Sequence, residues 1–348
     1  MSLFLSITIY AATFSSSILC FKYAQNKKNR GFSSIVLFLA ICIPCLTACF
    51  RTSGADYKTY ISYYEIIHEI GFASGREPLW VVINLISPNK NVMLFLTAFV
   101  FLFFSSKSIY FFVNKNRTMS WSILLLVFYS TFLNIMRQMI AVSIIVYFLK
   151  YIFRKKPLIY LLGVIIASLF HKSSIVMIVV PIILFFANRV KYYELLIVIA
   201  MFIAPILVPV MFRLLNAIGL YAKYAHKITF NFEPQFILCM LPPTFLYYLT
   251  GGKKSHSYIV NNLFYLYLIS FPLQTMGFMA KYLDRLTYNF YFVLFLFVPM
   301  VIDEISNFRV KRQALYAMYG WFLIYYIFVF IVAGTATVYP YIDYSKRK

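Results

Sequence analysis

The sequence predicts an all-α protein, a polytopic bundle of about 12 transmembrane helices, within a range of roughly 10 to 13. Composition is the first reason: 62% of the 348 residues are hydrophobic and only 12% are charged, whereas soluble domains are about half apolar and a quarter charged. The second reason is that the apolar stretches recur along the whole chain. We therefore treat residues 1–348 as a single transmembrane domain and disfavour a soluble protein with one very large core.

Each predicted helix is a run close to the length of about 20 apolar residues that a span requires. The first run is expected to be a retained span and not a removable signal peptide, because no basic segment begins it and no small-residue cleavage site follows it. The predicted helices lie near residues 2–21, 32–50, 92–113, 119–134, 136–153, 157–170, 174–188, 193–212, 236–250, 257–279, 286–302 and 313–335.

Basic residues give the chain a net charge of +22, from 32 Lys and Arg against 10 Asp and Glu. In a soluble protein this balance would indicate a nucleic-acid partner, but here the basic residues occupy short loops between spans, and we expect no nucleic acid. Basic loops mark the cytoplasmic face, which would place both termini outside. These loops are 22–30, 114–117, 150–156, 188–191, 253–254 and 309–312.

The connections on the opposite face differ in character and hold most of the acidic residues. The longest hydrophilic one, residues 51–91, is predicted to be an extracytoplasmic loop, and residues 213–235 a smaller one. Three short breaks, near residues 134–137, 170–174 and 281–285, lie on the same face.

Five cysteines lie in or beside apolar runs. Cys42, Cys45 and Cys49 share one helix face, but neither histidine nor carboxylate accompanies them, so packing is favoured over a metal or redox site. No Asp-x-Asp pair occurs in the loops either. We expect no metal and no cofactor.

One charge in the apolar stretch "FLNIMRQMIAVSIIVYF" needs an explanation. Residues 119–149 are too long for one span and just sufficient for two short ones, so Asn134 can cap a new helix whose first turn holds Arg137 and Gln138. Ionisable groups at membrane depth are costly and usually mark a pathway or a site. The alternative is that Arg137 only extends to the outer interface.

A similar break occurs at "FHKSS", where His171, Lys172 and Ser173 interrupt the next apolar run. In the outer loop, "GADYKTYISYY" places Asp56 and several tyrosines at helical spacing. A carboxylate beside tyrosines suits a sugar, because rings stack on C–H faces and the carboxylate accepts hydroxyl protons. An aromatic belt at the interface is the alternative. In "REPLW", Glu77 and Pro78 have the arrangement of a helix start.

Taken in order, "R…GADYKTYISYY", "REPLW", "N..RQ.IA" and "FHKSS" resemble the Wzy-type polysaccharide repeat-unit polymerases, in the EpsG-like branch. A late arginine before an aromatic span is also similar, and Arg285 in "YLDRLTYNFYF" fills that position. The resemblance covers about residues 50–300. Its matching positions are Arg51, Gly54, Asp56, Tyr57, Tyr60, Tyr64, Glu77, Pro78, Asn134, Arg137, Gln138, Ala141, His171 and Ser173.

The resemblance implies a helical bundle similar to the glycosyltransferase-C class, in the bacterial inner (plasma) membrane, with its active site facing the periplasm or the exterior. It implies polymerisation of undecaprenyl-diphosphate-linked oligosaccharide repeat units by glycosyl transfer. The product would be the O-antigen of lipopolysaccharide, a capsule or an exopolysaccharide. Membrane lipid, a chain-length regulator and a flippase are the implied partners.

This chemistry requires cations for the lipid diphosphate and a base for the acceptor hydroxyl. Arginine suits the diphosphate, since its planar fork holds two phosphate oxygens at once. Arg137 is the first candidate, Arg51 and Arg285 are its expected partners, and Lys172 and Lys281 are auxiliaries.

For the base, Asp56 ranks before Glu77, and His171 follows. Hydrogen bonds to phosphate or sugar are expected from a further set of polar side chains. These are Tyr57, Tyr60, Tyr64, Asn134, Gln138 and Ser173.

Three other classes stay open. A flippase or exporter for the same lipid would also need outward arginines, but it should carry charges through the depth of the bundle. An O-antigen ligase would use the same donor, but it usually has a larger late outer loop than residues 213–235. A membrane acyltransferase would need a nucleophile or base on a cytoplasm-accessible tunnel, which these histidines do not provide.

Overall fold

The computed structural model describes residues 1–25, 30–217, 230, 235–280 and 283–342, and the regular structure in those ranges is helical throughout. The predicted all-α class is therefore confirmed. Most of the predicted 213–235 loop, and the candidate residue Lys281, lie outside the described residues.

The described ranges contain the following α-helices, in chain order. They are α1 (Leu3–Tyr23), α2 (Arg30–Phe50), α3 (Tyr57–Ile70), α4 (Pro78–Leu85), α5 (Lys90–Phe112), α6 (Arg117–Ile123), α7 (Ser130–Phe132), α8 (Met136–Phe153), α9 (Pro157–Ser168), α10 (Val180–Arg189), α11 (Tyr193–Ala217), α12 (Gln235–Leu249), α13 (Tyr258–Gly277), α14 (Asp284–Tyr291), α15 (Leu294–Glu304) and α16 (Phe308–Tyr326). A π-helical stretch, Leu124–Tyr129, joins α6 to α7, and a second one, Ile327–Val332, extends α16. Short 3₁₀ helices are Gly71–Ser74, Lys172–Val179 and Gly252–Lys254.

Each of the twelve predicted runs is largely helical, in agreement with the sequence prediction. Within the described ranges, eight helices are long and apolar enough to cross a membrane by length and composition, and α9 and part of α12 are shorter apolar helices. The protein is therefore a multi-pass membrane protein. The eight are Leu3–Tyr23, Gly31–Phe50, Lys90–Phe112, Met136–Phe153, Lys172–Arg189, Tyr193–Leu214, Asp284–Glu304 and Phe308–Val332.

The chain divides into two compact units. The first comprises Met1–Ile175 and Val298–Lys348, and the second Val176–Phe297. In the first unit α1 packs on α2, α2 on α5, α5 on α8 and α8 on α9; in the second, α13 packs on both α11 and α14. The prediction of one transmembrane domain stays a prediction.

A proline inside α2 leaves one backbone carbonyl without its helical hydrogen bond, and a side chain of α1 replaces that bond. Pro44 inside α2 has no N–H, so it cannot donate to the carbonyl of Ala40 four residues earlier. The hydroxyl of Ser17 in α1 donates to that carbonyl at 2.6 Å, and Ser17 itself accepts from the indole N–H of Trp121 at 3.0 Å. A buried donor therefore satisfies the freed carbonyl, as an apolar environment requires.

Candidate active site

Arg51 lies fully buried at the end of α2, with 1% of its surface exposed. Its guanidinium donates to the main-chain carbonyls of Ser53 and Leu133. The side chain thus joins the first predicted motif to the turn that precedes Arg137. This position favours a structural role for Arg51 over the predicted contact with diphosphate.

Gly54 is needed beside Arg51 for two reasons. Its φ of +117° belongs to a region that L side chains rarely adopt, and a Cβ atom would lie 2.5 Å from the Nη1 atom of Arg51. We expect Gly54→Ala to lower the thermal midpoint of the detergent-purified protein and its membrane abundance. Gly320→Ala is the matched control, because nothing lies within 4 Å of a Cβ there and alanine is the better helix former. Equal stability of both variants would contradict the structural role of Arg51.

Asn134 connects three segments through its side-chain amide. Its Oδ1 atom accepts from the N–H of Ala55 at 2.8 Å, and its Nδ2 atom donates to the carbonyl of Ala336 at 2.5 Å. The N–H of Gly54 donates to the carbonyl of Thr337 at 2.9 Å. Asn134 therefore fixes the start of the outer loop against the C-terminal segment, and its amide is engaged with backbone instead of facing a ligand.

The C-terminal segment 336–341 lies along the same turn. The hydroxyl of Ser53 donates to the carbonyl of Val338 at 2.9 Å, and the N–H of Thr52 to that of Tyr341 at 3.2 Å. The phenol of Tyr341 donates to the carbonyl of Thr47 at 2.9 Å. This segment was not predicted from the sequence, because backbone carbonyls carry no residue-type signal.

Glu77 joins the second, third and fourth motifs. Its Oε2 atom accepts from the Nη1 atom of Arg137 at 2.6 Å, and the two side chains are only 9% and 19% exposed, respectively. Its Oε1 atom accepts from the N–H of Lys172 at 3.3 Å and lies 3.8 Å from the Nδ1 atom of His171. The carboxylate therefore meets Arg137, His171 and the backbone of Lys172. We call these residues, together with Glu77 and its sequence neighbour Arg76, the Glu77 cluster.

Local structure places Glu77 there. It is the N-cap residue of α4, with extended backbone and Pro78 in the first helical turn, as the sequence predicted. The first turn of a helix has N–H groups without helical acceptors, and that of Leu79 donates to the carbonyl of Leu169 at the end of α9, at 3.0 Å. This bond holds the start of α4 beside the "FHKSS" break.

The pKa of the Glu77 carboxyl lies below its ordinary value. Burial raises this pKa, but the guanidinium of Arg137, the hydrogen bonds from the N–H groups of Glu77 and Lys172, and the proximity of His171 together outweigh burial. Glu77 is accordingly a stable anion at neutral pH. A carboxylate with a lowered pKa is a weak proton acceptor, which argues against the predicted role of Glu77 as the base.

Two further residues of the cluster region, Tyr63 and Arg76, were not predicted as site residues. The guanidinium carbon of Arg76 lies 3.9 Å from the centre of the Tyr63 ring, and that of Arg137 lies 5.5 Å from the same ring. Both guanidinium groups therefore approach one aromatic surface. The sequence contained a hint of both residues: Arg76 is the first residue of "REPLW", and Tyr63 lies in "GADYKTYISYY".

The three predicted sugar-binding tyrosines have structural contacts. Tyr57 and Tyr60 are each 5% exposed, and Tyr60 packs on Trp80 with 5.5 Å between ring centres. The phenol of Tyr64 donates to the carbonyl of Ser87 at 3.0 Å, at the end of α4. These contacts fasten α3 to α4, and they favour an anchoring role over stacking on sugar.

The other predicted residues are distributed as follows. Asp56 is half-buried as the residue before α3, and Gln138 is buried in the first turn of α8. Ser173 is exposed next to Lys172. Arg285 is exposed in the first turn of α14, in the second unit. Its expected partnership with Arg137 stays a prediction.

In the part of the chain described by the structure, no group of three or more His, Cys, Asp or Glu residues is placed to hold a metal ion. The Glu77 cluster contains more basic than acidic side chains: Arg76, Arg137 and Lys172 against Glu77. The carboxylate pairs with the guanidinium of Arg137, and the guanidinium of Arg76 lies at the same tyrosine ring as that of Arg137. The cluster therefore retains positive charge and favours an anionic ligand.

Fold and site together define a multi-pass membrane protein with a half-buried arginine–glutamate cluster at helix ends. The chain belongs to the EpsG family, whose sequence profile matches residues 34–342. This is a family of Wzy-like polymerases, so the protein is a glycosyltransferase-like polymerase with a role of the polysaccharide-polymerase type. No curated protein and no solved structure matches the chain.

Proposed function

We propose that this protein polymerises undecaprenyl-diphosphate-linked oligosaccharide repeat units at the outer face of the bacterial plasma membrane. One observation carries the proposal: Glu77 holds Arg137 at 2.6 Å in a half-buried site with His171 and Lys172 against the same carboxylate. A restrained guanidinium next to a histidine suits a reaction that expels a diphosphate and removes a proton.

The reaction is a substitution at the anomeric carbon of the growing chain. An acceptor hydroxyl oxygen forms the new bond to that carbon, while the bond to the lipid diphosphate oxygen breaks and its electron pair leaves with the diphosphate. The acceptor proton goes to a base. Stabilising the charge that develops on the leaving oxygen is the largest contribution expected from the protein.

Arg137 is the proposed contact for the diphosphate. Its Nη1 atom is held by Glu77, and the side chain is 19% exposed, so the rest of the fork is accessible to phosphate oxygens. Arg76, whose guanidinium lies at the same Tyr63 ring as that of Arg137, adds positive charge nearby, and the exposed side chain of Lys172 is a further candidate cation. Glu77 acts as a positioning residue: it fixes the guanidinium before the substrate arrives and so lowers the cost of ordering it.

His171 is the proposed base, ahead of Asp56. The lowered pKa of Glu77 makes that carboxylate a poor proton acceptor, whereas histidine has an ordinary pKa of about 6.5, close to neutral pH. The imidazole is partly exposed, and its Nδ1 atom faces the Glu77 carboxylate at 3.8 Å. Glu77 is therefore placed to orient His171 and to stabilise the imidazolium that forms.

Deletion of the protein tests the function. We expect the surface polysaccharide to run on gels as single repeat units, with the long-chain ladder absent and restored by the wild-type copy. Persisting long chains would contradict a polymerase. Units trapped on the inner leaflet would indicate a flippase, and full-length chains left on their lipid would indicate a ligase.

Cysteine labelling tests which face carries the cluster. In a cysteine-free background, Ala73→Cys in the outer loop should react with an impermeant maleimide added to intact cells, and Asn114→Cys and Ser255→Cys only after lysis. All three positions are exposed, whereas Ser53 in the same loop is buried and unsuitable. The reverse pattern would place the Glu77 cluster in the cytoplasm and contradict the proposal.

A further inference from the structure

A polar cavity lies in the first unit, apart from the Glu77 cluster. Its volume is about 650 Å³, and its walls come from the end of α2, from α3 and from the start of α5. No residue of the Glu77 cluster lines it. Ligand sites typically have volumes of about 300–1,000 Å³, so this space accommodates a group larger than a single phosphate.

Charge in the cavity wall is predominantly positive. Arg51, Lys58 and Lys90 line it against the single carboxylate of Glu65. Arg51 is fully buried, so its charge acts from behind the wall, while both lysines are exposed and their ammonium groups can reach a ligand. A concave surface of one dominant sign concentrates ions of the opposite sign. The cavity therefore favours an anion.

Polar and aromatic groups complete the wall. Thr52, Ser62 and Asn91 supply hydroxyl and amide groups, and the exposed Phe50 supplies ring surface. Lys90 and Asn91 also begin the 23-residue helix α5, whose N-terminal N–H groups favour negative charge. Hydroxyls and amides bind the hydroxyls of a ligand, and ring surface suits C–H faces.

We propose that this cavity is a binding site for an anionic, hydroxyl-bearing group: a carboxylate or phosphate on a saccharide unit, or the glycerol phosphate headgroup of a lipid. Only the saccharide source rests on the proposed function. Lys58 and Lys90 bind the anion, and the neutral polar side chains bind hydroxyls. None of these side chains takes part in the chemical step.

Binding of soluble probes to the full chain in phosphatidylcholine nanodiscs tests this site. The probes are cellobiuronate, its neutral counterpart cellobiose, and sn-glycerol 1-phosphate. At least one anionic probe should bind about tenfold more tightly than cellobiose, and this preference should weaken at high salt. The double variant Lys58→Gln/Lys90→Gln should lose the preference, a change of about 1.4 kcal/mol for a factor of ten.

The control is the double variant Lys115→Gln/Lys156→Gln, which changes two other exposed lysines. It should bind the probes like the wild type. Lysine-dependent binding of cellobiuronate supports a saccharide ligand, and lysine-dependent binding of glycerol phosphate alone supports a lipid headgroup. Equal binding of cellobiose, or binding unaffected by the Lys58 and Lys90 changes, would overturn the site. Because the readout is binding, it is independent of whether deletion abolishes long chains.

Discussion

Replacing Arg137 with lysine should reduce polysaccharide chain polymerisation by about ten- to a hundredfold, while the protein still inserts into the membrane. Arg137 binds Glu77 through one nitrogen at 2.6 Å and keeps further N–H groups for a phosphate oxygen. Lysine has a single ammonium and cannot reproduce both contacts in this geometry. Loss of one charge-assisted bond costs about 1.5–3 kcal/mol, which corresponds to that range of rates.

Ladder length on gels, at equal membrane abundance, measures this effect. Alanine should be worse than lysine, because it also leaves the buried Glu77 without its partner, and Gln138→Ala should be milder. Arg154→Lys is the matched control, since Arg154 is exposed at the C-terminal end of α8. Normal ladders from Arg137→Lys would remove support for the simultaneous contact of Arg137 with Glu77 and phosphate, and normal ladders from Arg137→Ala would return this residue to an interfacial role.

Glu77→Gln should reduce polymerisation by about tenfold or more without unfolding the protein. Glutamine keeps the size of the side chain and an oxygen for the N–H of Lys172, but it removes the charge that holds Arg137 and faces His171. If Glu77 positions these groups, activity should fall without vanishing. Complete loss of activity, with stability unchanged, would instead identify Glu77 as the base. Glu69→Gln is the control, at an exposed position on α3.

The thermal stabilities of the wild type and of Glu77→Gln should also depend differently on pH. Folding lowers the pKa of the Glu77 carboxyl. The pairing of Glu77 therefore stabilises the folded state fully at pH values above the unfolded pKa, which is about 4.3 for glutamate. This stabilisation is lost as the pH falls through the lower pKa of the folded state. In a His171→Gln background, which removes the imidazole that faces Glu77, the difference in thermal midpoint between Glu77 and Glu77→Gln should be constant between pH 5 and 8. It should shrink below about pH 4. A difference that still changes near pH 6–7 in this background would show that Glu77 titrates there and restore it as a base.

The sequence is informative about helices because each span needs a long apolar run, and all twelve predicted runs are helical. It also placed Arg137 and His171 on one predicted face, as costly polar groups within apolar segments, and the family resemblance added Glu77 from the outer loop. The structure adds the contacts: Glu77 binds the Arg137 side chain and the Lys172 backbone.

The sequence could not show contacts between a side chain and the main chain, because main-chain groups are the same in nearly every residue type. Arg51 was predicted to bind phosphate, but its partners are the carbonyls of Ser53 and Leu133, which any residue type offers. Asn134 similarly binds main-chain groups of Ala55 and Ala336. In "GADYKTYISYY", helical spacing predicted that the tyrosines share one face of a helix. It could not predict that Tyr60 is buried on that face by packing on Trp80.

Reconstituted polymerisation tests the central claim most directly. Purified protein in liposomes would receive isolated lipid-diphosphate-linked repeat units, with no flippase or ligase present, and the products would be resolved by length. The account predicts a ladder of multiples from the wild type and from Arg154→Lys, and strongly shortened products from Arg137→Lys. Absence of any product longer than one unit from wild type that is shown to be folded, or an undiminished ladder from Arg137→Ala, would contradict it.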